Sequence, residues 1–472
     1  MIEFLLNTEQ VRLEKFPADL TVLEYLRNGC RLTGTKQGCA SGDCGACTVV
    51  VAEPVGGKLR YRSINSCITL LGSLHGKQLL TVEHLADGKT LHPVQQAMVD
   101  CHASQCGFCT PGFVMSLFAC YKQGGSVDRH RLEVALGGNL CRCTGYRPIV
   151  EAGLKACQDS GPDQFSQSEA DVSQYLTSIT APVPADFFIP ASLVELATAL
   201  AGDPEIRPVC GGTDLALEIT QQLQSLPKLA YFGSVPELNH VEVVGQTLNI
   251  GAAVPYTDCF DMLVELWPDL EELLLRLGST PIRNQGSIGG NVANASPIGD
   301  MPPVLIALGA SLQLRLGERL RSLPVEDFFV SYKKTQLLPG EFIQSISIPL
   351  PEANEKLFCF KNSKRFDDDI STALGIFNLR VDEDYISRVR VAFGGMAEIP
   401  KRAPGLEAML MDKNVHDDFS AGIATALASD FQPIDDVRAS ARYRLEVAAG
   451  FVQRLMNELN SPEEPHRVNR YG

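Results

Sequence analysis

The sequence predicts an α+β chain of several domains, and three observations carry that reading. Its 472 residues exceed what one hydrophobic core organises, so about two to four domains are expected. Hydrophobic residues make up 45% and charged residues 21%, the balance of a globular protein rather than a disordered or membrane one. The residue pattern also changes character along the chain, from strands and turns to helices and then to a mixture.

Glu3 to Leu6 and Val11 to Leu13 read as a hairpin, and Leu20 to Arg27 as a short amphipathic helix. A Gly- and Cys-rich loop follows, then a β-branched strand from Thr48 to Ala52. The pattern next turns helical over Pro93 to Cys101, Pro111 to Tyr121 and Arg129 to Leu136, with Pro at or near the first helical position of the first two. His92 and His102 read as helix-cap or core residues, without chemistry. The polar stretch from Gln158 to Gln174, rich in Ser, Asp and Gln, reads as a linker. Beyond it, strand-like runs at Leu229 to Phe232, Leu248 to Ile250 and Ser311 to Leu316 alternate with helical ones. A last segment, from Glu355 to Leu459, holds strands near Ala373 to Val381 and Arg388 to Phe393 before further helices, and the tail from Ser461 reads as loosely held. The expected domains are 1–78, 79–157, a linker at 158–182, then 183–352 and 353–464.

A net charge of −15 argues against a nucleic-acid partner, because no broad basic face neutralises phosphates. The N-terminus lacks the basic and apolar regions of a signal peptide. The most apolar run, Leu270 to Leu277, is broken by Glu271, Glu272 and Arg276. A soluble, cytoplasmic chain is expected, with no membrane partner. In that compartment the 15 cysteines are not expected to form disulfides, and many of them are expected to serve as ligands.

Cys39, Cys44, Cys47 and Cys67 form C-x4-C-x2-C followed, after 19 residues, by a fourth Cys. This is the spacing of a plant-type 2Fe–2S site, and the interleaved Gly38, Gly42 and Gly45 let a loop wrap a cluster closely. A zinc knuckle is the alternative. Cys106, Cys109, Cys141 and Cys143 form a second set, C-G-F-C and C-R-C separated by 31 residues. Each pair falls at a helix start or end, so helical elements can bring the pairs together around 2Fe–2S or zinc. Cys30, Cys101, Cys120, Cys157, Cys210, Cys259 and Cys359 show no pairing pattern and read as small buried hydrophobes.

In order and spacing, the two sets resemble the paired 2Fe–2S domains of the xanthine dehydrogenase and aldehyde oxidase family of molybdenum hydroxylases. The segments T-G-T-K-Q-G-C-A-S-G-D-C-G-A-C-T (33–48), S-Q-C-G-F-C-T-P-G (104–112) and G-G-N-L-C-R-C-T-G-Y-R-P-I (137–149) carry the likeness. The resemblance implies a β-grasp ferredoxin domain, a helical 2Fe–2S domain, an α+β FAD-binding domain and an α+β C-terminal flavoprotein domain. It implies that Gln105 contacts a molybdopterin. The stretches Cys210 to Leu215 and Gly286 to Asp300 resemble the two FAD loops of the family. Their glycines expose N–H groups able to cradle a pyrophosphate, although Gly-Gly-Thr-Asp alone is equally a turn. The FAD residues implied are Pro208, Val209, Cys210, Gly211, Gly212, Thr213, Asp214, Leu215, Ser287, Gly290, Asn291, Asp300, Ile343 and Lys361. Tyr332 and Asp368 are implied on the side where NAD docks, although the run Lys364 to Asp369 also reads as a solvated loop. Where the family often has an aromatic residue near the flavin ring, this chain has Leu277.

The function implied is electron transfer from purine (hypoxanthine or xanthine) hydroxylation at a molybdenum centre on a partner chain. Electrons would pass through the set at Cys106, then that at Cys39, then FAD, to NAD as acceptor. The partner implied is a molybdopterin-binding large subunit in an α2β2 assembly, and no catalytic residue is expected on this chain. The rivals are the same role in an aldehyde or N-heterocycle hydroxylase, a free-standing NADH-dependent flavin/iron–sulfur reductase, and a zinc-stabilised interaction protein.

Overall fold

In the computed structural model, residues 1–158, 161–180 and 186–464 are described. The linker expected at 158–182, the start of the domain expected from 183, and the tail expected from Ser461 fall partly outside them. The chain divides into two compact units. The first comprises Met1–Leu196, Pro204–Val235 and Gly278–Gly286, and the second Ala197–Asp203, Pro236–Leu277 and the residues from Ser287 onward.

The first unit opens on a five-stranded sheet ordered Glu9–Leu13, Ile2–Leu6, Gln78–Leu80, Thr48–Val55, Lys58–Asn65. Ile2–Leu6 and Gln78–Leu80 run parallel, and the other pairs antiparallel. This is the expected β-grasp arrangement. The run Thr-Val-Val-Val-Ala at 48–52 is apolar without alternation because both faces of the strand are covered. Val49 and Val51 enter one core with Ile2, Phe4 and Leu26, while Val50 and Ala52 enter another with Phe113, Leu117 and Phe118.

That second core belongs to the helices Pro93–Asp100, Thr110–Gln123, Arg129–Leu136 and Arg147–Gln158. The segment expected as a short helix at Leu20 to Arg27 is Val22–Glu24 running into a π-turn at Tyr25–Gly29, under a Thr21/Glu24 capping box. The polar stretch read as a linker carries the helix Gln164–Thr177, which buries Phe165 and Leu176 in the helical core. A single narrow apolar stripe suffices there because most of the helix faces solvent.

The start of that helix is tied down by a buried polar node. Asp163 accepts from Lys122 Nζ at 2.7 Å, from Ser166 N–H at 2.8 Å, and lies 3.2 Å from His92 Nε2. His92 caps the helix Pro93–Asp100, its Nδ1 accepting from Val94 N–H. The ring proton therefore sits on Nε2 and is donated to Asp163. Burial pushes the Asp163 carboxyl up, but the bonds from His92, Lys122 and Ser166 outweigh it and hold it well below the usual carboxylate range. A depressed folded-state pKa gives stability that is present above the unfolded value of about 4 and is lost as pH falls below it. Asp163→Asn should therefore lower the urea midpoint most near neutral pH, by the equivalent of about 3 kcal/mol, with the gap closing below about pH 3. Midpoint curves that stay parallel from neutral to acid pH would remove this node from the account of stability.

A three-stranded parallel sheet, Phe187–Phe188, Leu229–Tyr231, Arg207–Val209, completes the first unit. The second unit holds a five-stranded antiparallel sheet, ordered Arg319–Pro324, Ser311–Leu316, Phe342–Pro349, Thr247–Gly251, Val241–Val244. It also holds a four-stranded antiparallel sheet from Glu355–Asn362 to Lys401–Arg402, backed by the helix Ala441–Asn460. Among the described residues, no helix is long and apolar enough to cross a membrane.

Candidate functional site

The first cysteine set lies on the loop between the Tyr25–Gly29 turn and the strand Thr48–Val55, with Cys67 just past the strand Lys58–Asn65. Cys47 and Cys67 are buried and Cys39 and Cys44 half-buried. The Cys47 and Cys67 sulfurs are 3.3 Å apart. Cys39 N–H donates to Cys44 Sγ and Ser41 N–H to Cys39 Sγ, each at 3.4 Å. The Cys39 thiol also faces those of Cys44 and Cys67, and sharing protons with them drives it far below the ordinary thiol range. Cys39 facing Cys44 and Cys67, Cys67 facing Cys47, and N–H donors aimed at Cys39 and Cys44 fit a group that takes four thiolates.

In the second set Cys106 and Cys109 stand on the loop before the helix Thr110–Gln123, and Cys141 and Cys143 before Arg147–Gln158. The structure brings Cys106 against Cys143 and Cys109 against Cys141. Thr144 donates its hydroxyl to Cys141 Sγ at 3.1 Å and its N–H at 3.5 Å. Burial raises this thiol, but these donors bring it down to about 7. Cys106, Cys143 and the neighbouring Gln105 are exposed. Of the cysteines expected to be buried, Cys30, Cys101 and Cys210 are only partly so; Cys120 and Cys157 are buried against each other in the helical core.

The two sets are joined directly. Leu140 N–H, one residue before Cys141, donates to the Cys44 carbonyl at 3.0 Å. Asn139 Nδ2 donates to Gly45 O at 3.1 Å and to Thr48 Oγ1 at 3.3 Å. Gly45 has φ +66°, and a Cβ on Gly112 would lie 2.1 Å from Gly45 O, so the helix and the loop meet backbone to backbone.

On its other side the first set meets the loop 210–215. Cys47, Cys67 and Ile68 share an apolar cluster with Ala216. Gly212, at φ +72°, leaves only 3.3 Å between a would-be Cβ and Ile68 O, and a Cβ on Gly211 would strike Gln285 O at 2.0 Å. Gln221 Nε2 donates to the carbonyls of Cys39 and Ala40 at 3.1 and 2.9 Å. Within the first unit, the first set thus lies between the loop of the second set and the loop 210–215. Ala216 and Gln221 lie outside the motifs, and Asn139, inside the segment 137–149, had no role assigned to it. The one available signal was Gly137-Gly138 before Asn139, which marks a close backbone approach.

Pro208 and Val209 end the strand Arg207–Val209, and Cys210 to Leu215 form the loop after it, with Gly212 buried and Asp214 exposed. The remaining residues lie in the second unit. Ser287 caps the helix Ile288–Ala293 by accepting from Gly290 N–H at 3.0 Å, and that helix packs on the strand bearing Ile343. Asn291 Oδ1 is buried with no hydrogen-bond partner among the described residues, an acceptor left over for a bound group. Asp300 and Lys361 form a buried ion pair at 2.8 Å; Ser371 donates to Asp300 at 2.6 Å and Lys361 also donates to Arg276 O at 2.9 Å. Leu277 is buried in the apolar core of this unit. Tyr332 is exposed on a turn between short strands, and Asp368, at φ +49°, sits on the loop 363–370. Arg276 holds that loop, donating to Phe366 O at 2.9 Å and to Ser363 Oγ at 3.1 Å with its guanidinium 4.5 Å from the Phe366 ring.

Four family descriptions match successive stretches of the chain. They are a 2Fe–2S iron–sulfur cluster binding domain at 6–71, a 2Fe–2S binding domain at 81–154, the FAD binding domain in molybdopterin dehydrogenase at 182–351 and the CO dehydrogenase flavoprotein C-terminal domain at 358–459. A xanthine dehydrogenase of Emericella nidulans is 32% identical over 98% of this chain, which spans 39% of that protein's length. Among solved structures, a carbon monoxide dehydrogenase from Hydrogenophaga pseudoflava, lacking the Mo-pyranopterin moiety of its molybdenum cofactor, is 26% identical with a TM-score of 0.54, over 58% of this chain and 96% of that one. Quinoline 2-oxidoreductase from Pseudomonas putida 86 is 26% identical with a TM-score of 0.53, over 59% of this chain and 98% of that one.

Proposed function

This chain belongs to the molybdenum hydroxylase family and carries its iron–sulfur and flavin domains, and from that premise we propose that it is the electron-transfer subunit of a xanthine dehydrogenase. Cys106, Cys109, Cys141 and Cys143 hold one 2Fe–2S cluster, and Cys39, Cys44, Cys47 and Cys67 the other. Pro208 to Leu215, Ser287, Gly290, Asn291, Asp300, Ile343 and Lys361 hold FAD. When bound, these groups supply the redox chemistry, while the protein supplies their spacing and surroundings. Electrons from hypoxanthine or xanthine, oxidised at a molybdopterin on a large partner subunit in an α2β2 assembly, leave through the second set, the first set and FAD to NAD. Gln105 faces the pterin, Tyr332 and Asp368 the NAD side, and the assembly works in the cytoplasm.

The observation that supports this order is the position of the first cysteine set between the second set's loop and the loop 210–215. The identity to a xanthine dehydrogenase across nearly the whole chain favours a purine. The likeness to quinoline 2-oxidoreductase favours an N-heterocycle as the second reading.

One purification tests the reading. The chain should carry four-cysteine-bound iron and acid-labile sulfide at both sets, together with FAD. Alone it should oxidise NADH with an artificial acceptor and leave xanthine untouched; with its partner it should turn over xanthine faster than quinoline or an aldehyde. Stoichiometric zinc without labile sulfide would end the redox reading, and xanthine turnover by the chain alone would relocate the active site.

A further inference from the structure

Asn139 is 3% exposed, and every polar atom of its side chain is engaged. Its amide nitrogen donates to Gly45 O and Thr48 Oγ1, and its Oδ1 accepts from the Ser116 hydroxyl at 2.6 Å. Thr48 passes its own hydroxyl proton to Gly45 O at 2.7 Å. The series Ser116, Asn139, Thr48, Gly45 thus runs from the helix behind Cys109 to the loop behind Cys44, and one primary amide supplies both the donors and the acceptor it needs. An aliphatic residue makes none of these three bonds and leaves Gly45 O only the donors of Thr48, a carboxylate brings no donor, and serine is too short to reach both partners.

The position of this side chain is as telling as its bonds. Asn139 precedes Leu140, whose N–H meets the Cys44 carbonyl at 3.0 Å, and Gly45 follows Cys44. The amide therefore stitches the two segments together one residue to the side of that contact. From Cys44 to Cys141 the path is the Cys44 backbone, this one hydrogen bond and the peptide of Leu140. A carbonyl and an N–H that meet alone can slide; with a second attachment next to them, in a buried site, they hold one register.

We propose that Asn139 is a positioning residue for electron transfer between the two cysteine-bound clusters, fixing the register of the Leu140–Cys44 contact and so the separation of the clusters. This rests on the relay proposed above.

The test uses the full chain in complex with its partner, with Asn139→Leu as the near-isosteric removal of all three bonds. Asn139→Ser, small and polar, is the variant to use if a buried leucine prevents folding. Iron and labile sulfide should stay at wild-type levels. The magnetic interaction between the two clusters, read as splitting in low-temperature electron paramagnetic resonance spectra of the dithionite-reduced complex, should weaken or vanish. In rapid mixing with substrate, reduction of the helical-domain cluster should keep its wild-type rate, while the flavin is reduced about tenfold more slowly, a loss within the range that an ångström-scale misplacement produces. Ser116→Ala, which leaves both donors of Asn139 in place, should keep wild-type splitting. Unchanged splitting and flavin reduction in a folded Asn139 variant would overturn the proposal. So would selective loss of iron from the first set in both variants, which would make Asn139 a support of that loop alone. A wild-type complex with no splitting at all would overturn the relay reading along with it.

Discussion

Replacing Cys106 with serine should abolish xanthine-to-NAD turnover while leaving NADH oxidation by an artificial flavin acceptor intact. A hydroxyl is a harder and poorer ligand than a thiolate, so the cluster at the second set should be lost or change its potential. Cys106 is exposed and lies against Cys143, so the change should spare the fold. Substitution of Cys44 should also block the complete relay, yet substrate should still reduce the cluster at Cys106, Cys109, Cys141 and Cys143 in rapid mixing. Co-purification with the partner is checked first, so that a docking defect is not mistaken for a relay defect. Normal xanthine-to-NAD rates in Cys106→Ser would break the proposed order. So would a Cys44 variant in which the helical-domain cluster is no longer reduced.

A single methyl group at position 112 should be nearly as damaging. Gly112 is the third residue of the helix Thr110–Gln123, where Ala would ordinarily gain about 1 kcal/mol in helix propensity over Gly. Here a Cβ would sit 2.1 Å from Gly45 O, a backbone atom without a rotamer to retreat into. The loop and helix must separate, which breaks the Leu140–Cys44 and Asn139–Gly45 contacts and costs about 3 kcal/mol or more by overpacking and lost buried hydrogen bonds. Sterics outweigh propensity, so Gly112→Ala should lower the unfolding midpoint and the yield of iron-loaded protein. A variant as stable as wild type, with full iron, would show that the two domains do not meet as tightly as the structure has them.

How much of this was legible beforehand depended on whether the signal was local. The hairpin at Ile2–Leu6 and Glu9–Leu13, the strand from Thr48 and the helix Arg129–Leu136 follow from short-range periodicity and turn residues. His92 was readable as a cap because its place before Pro93 defines a helix start. The family was readable because the segments 33–48, 104–112 and 137–149 are each written contiguously. The helix Gln164–Thr177 was not, because its apolar stripe is too sparse to stand out from a polar linker. Asn139 was equally hidden, since its partners Gly45, Thr48 and Ser116 come from other parts of the sequence. Lys361 and Asp300 were both assigned to FAD from resemblance, but that they pair with each other emerges only from the tertiary structure.

The interleaving of the chain between its two units has a consequence for how the protein is made. The helical core is complete once Leu176 has emerged, so the pocket of the second set can form early on the ribosome. The first set waits longer: Cys67 and Cys47 pack against Ala216, with Ile282 beside them, and the first unit closes only with the segment Gly278–Gly286. At about 5–20 residues per second, the interval between synthesis of Cys67 and Ile282 is roughly ten to forty seconds. During that time the thiols of the first set stand on an unfinished wall, and the burial of Cys47 and Cys67 waits for the rest of the unit.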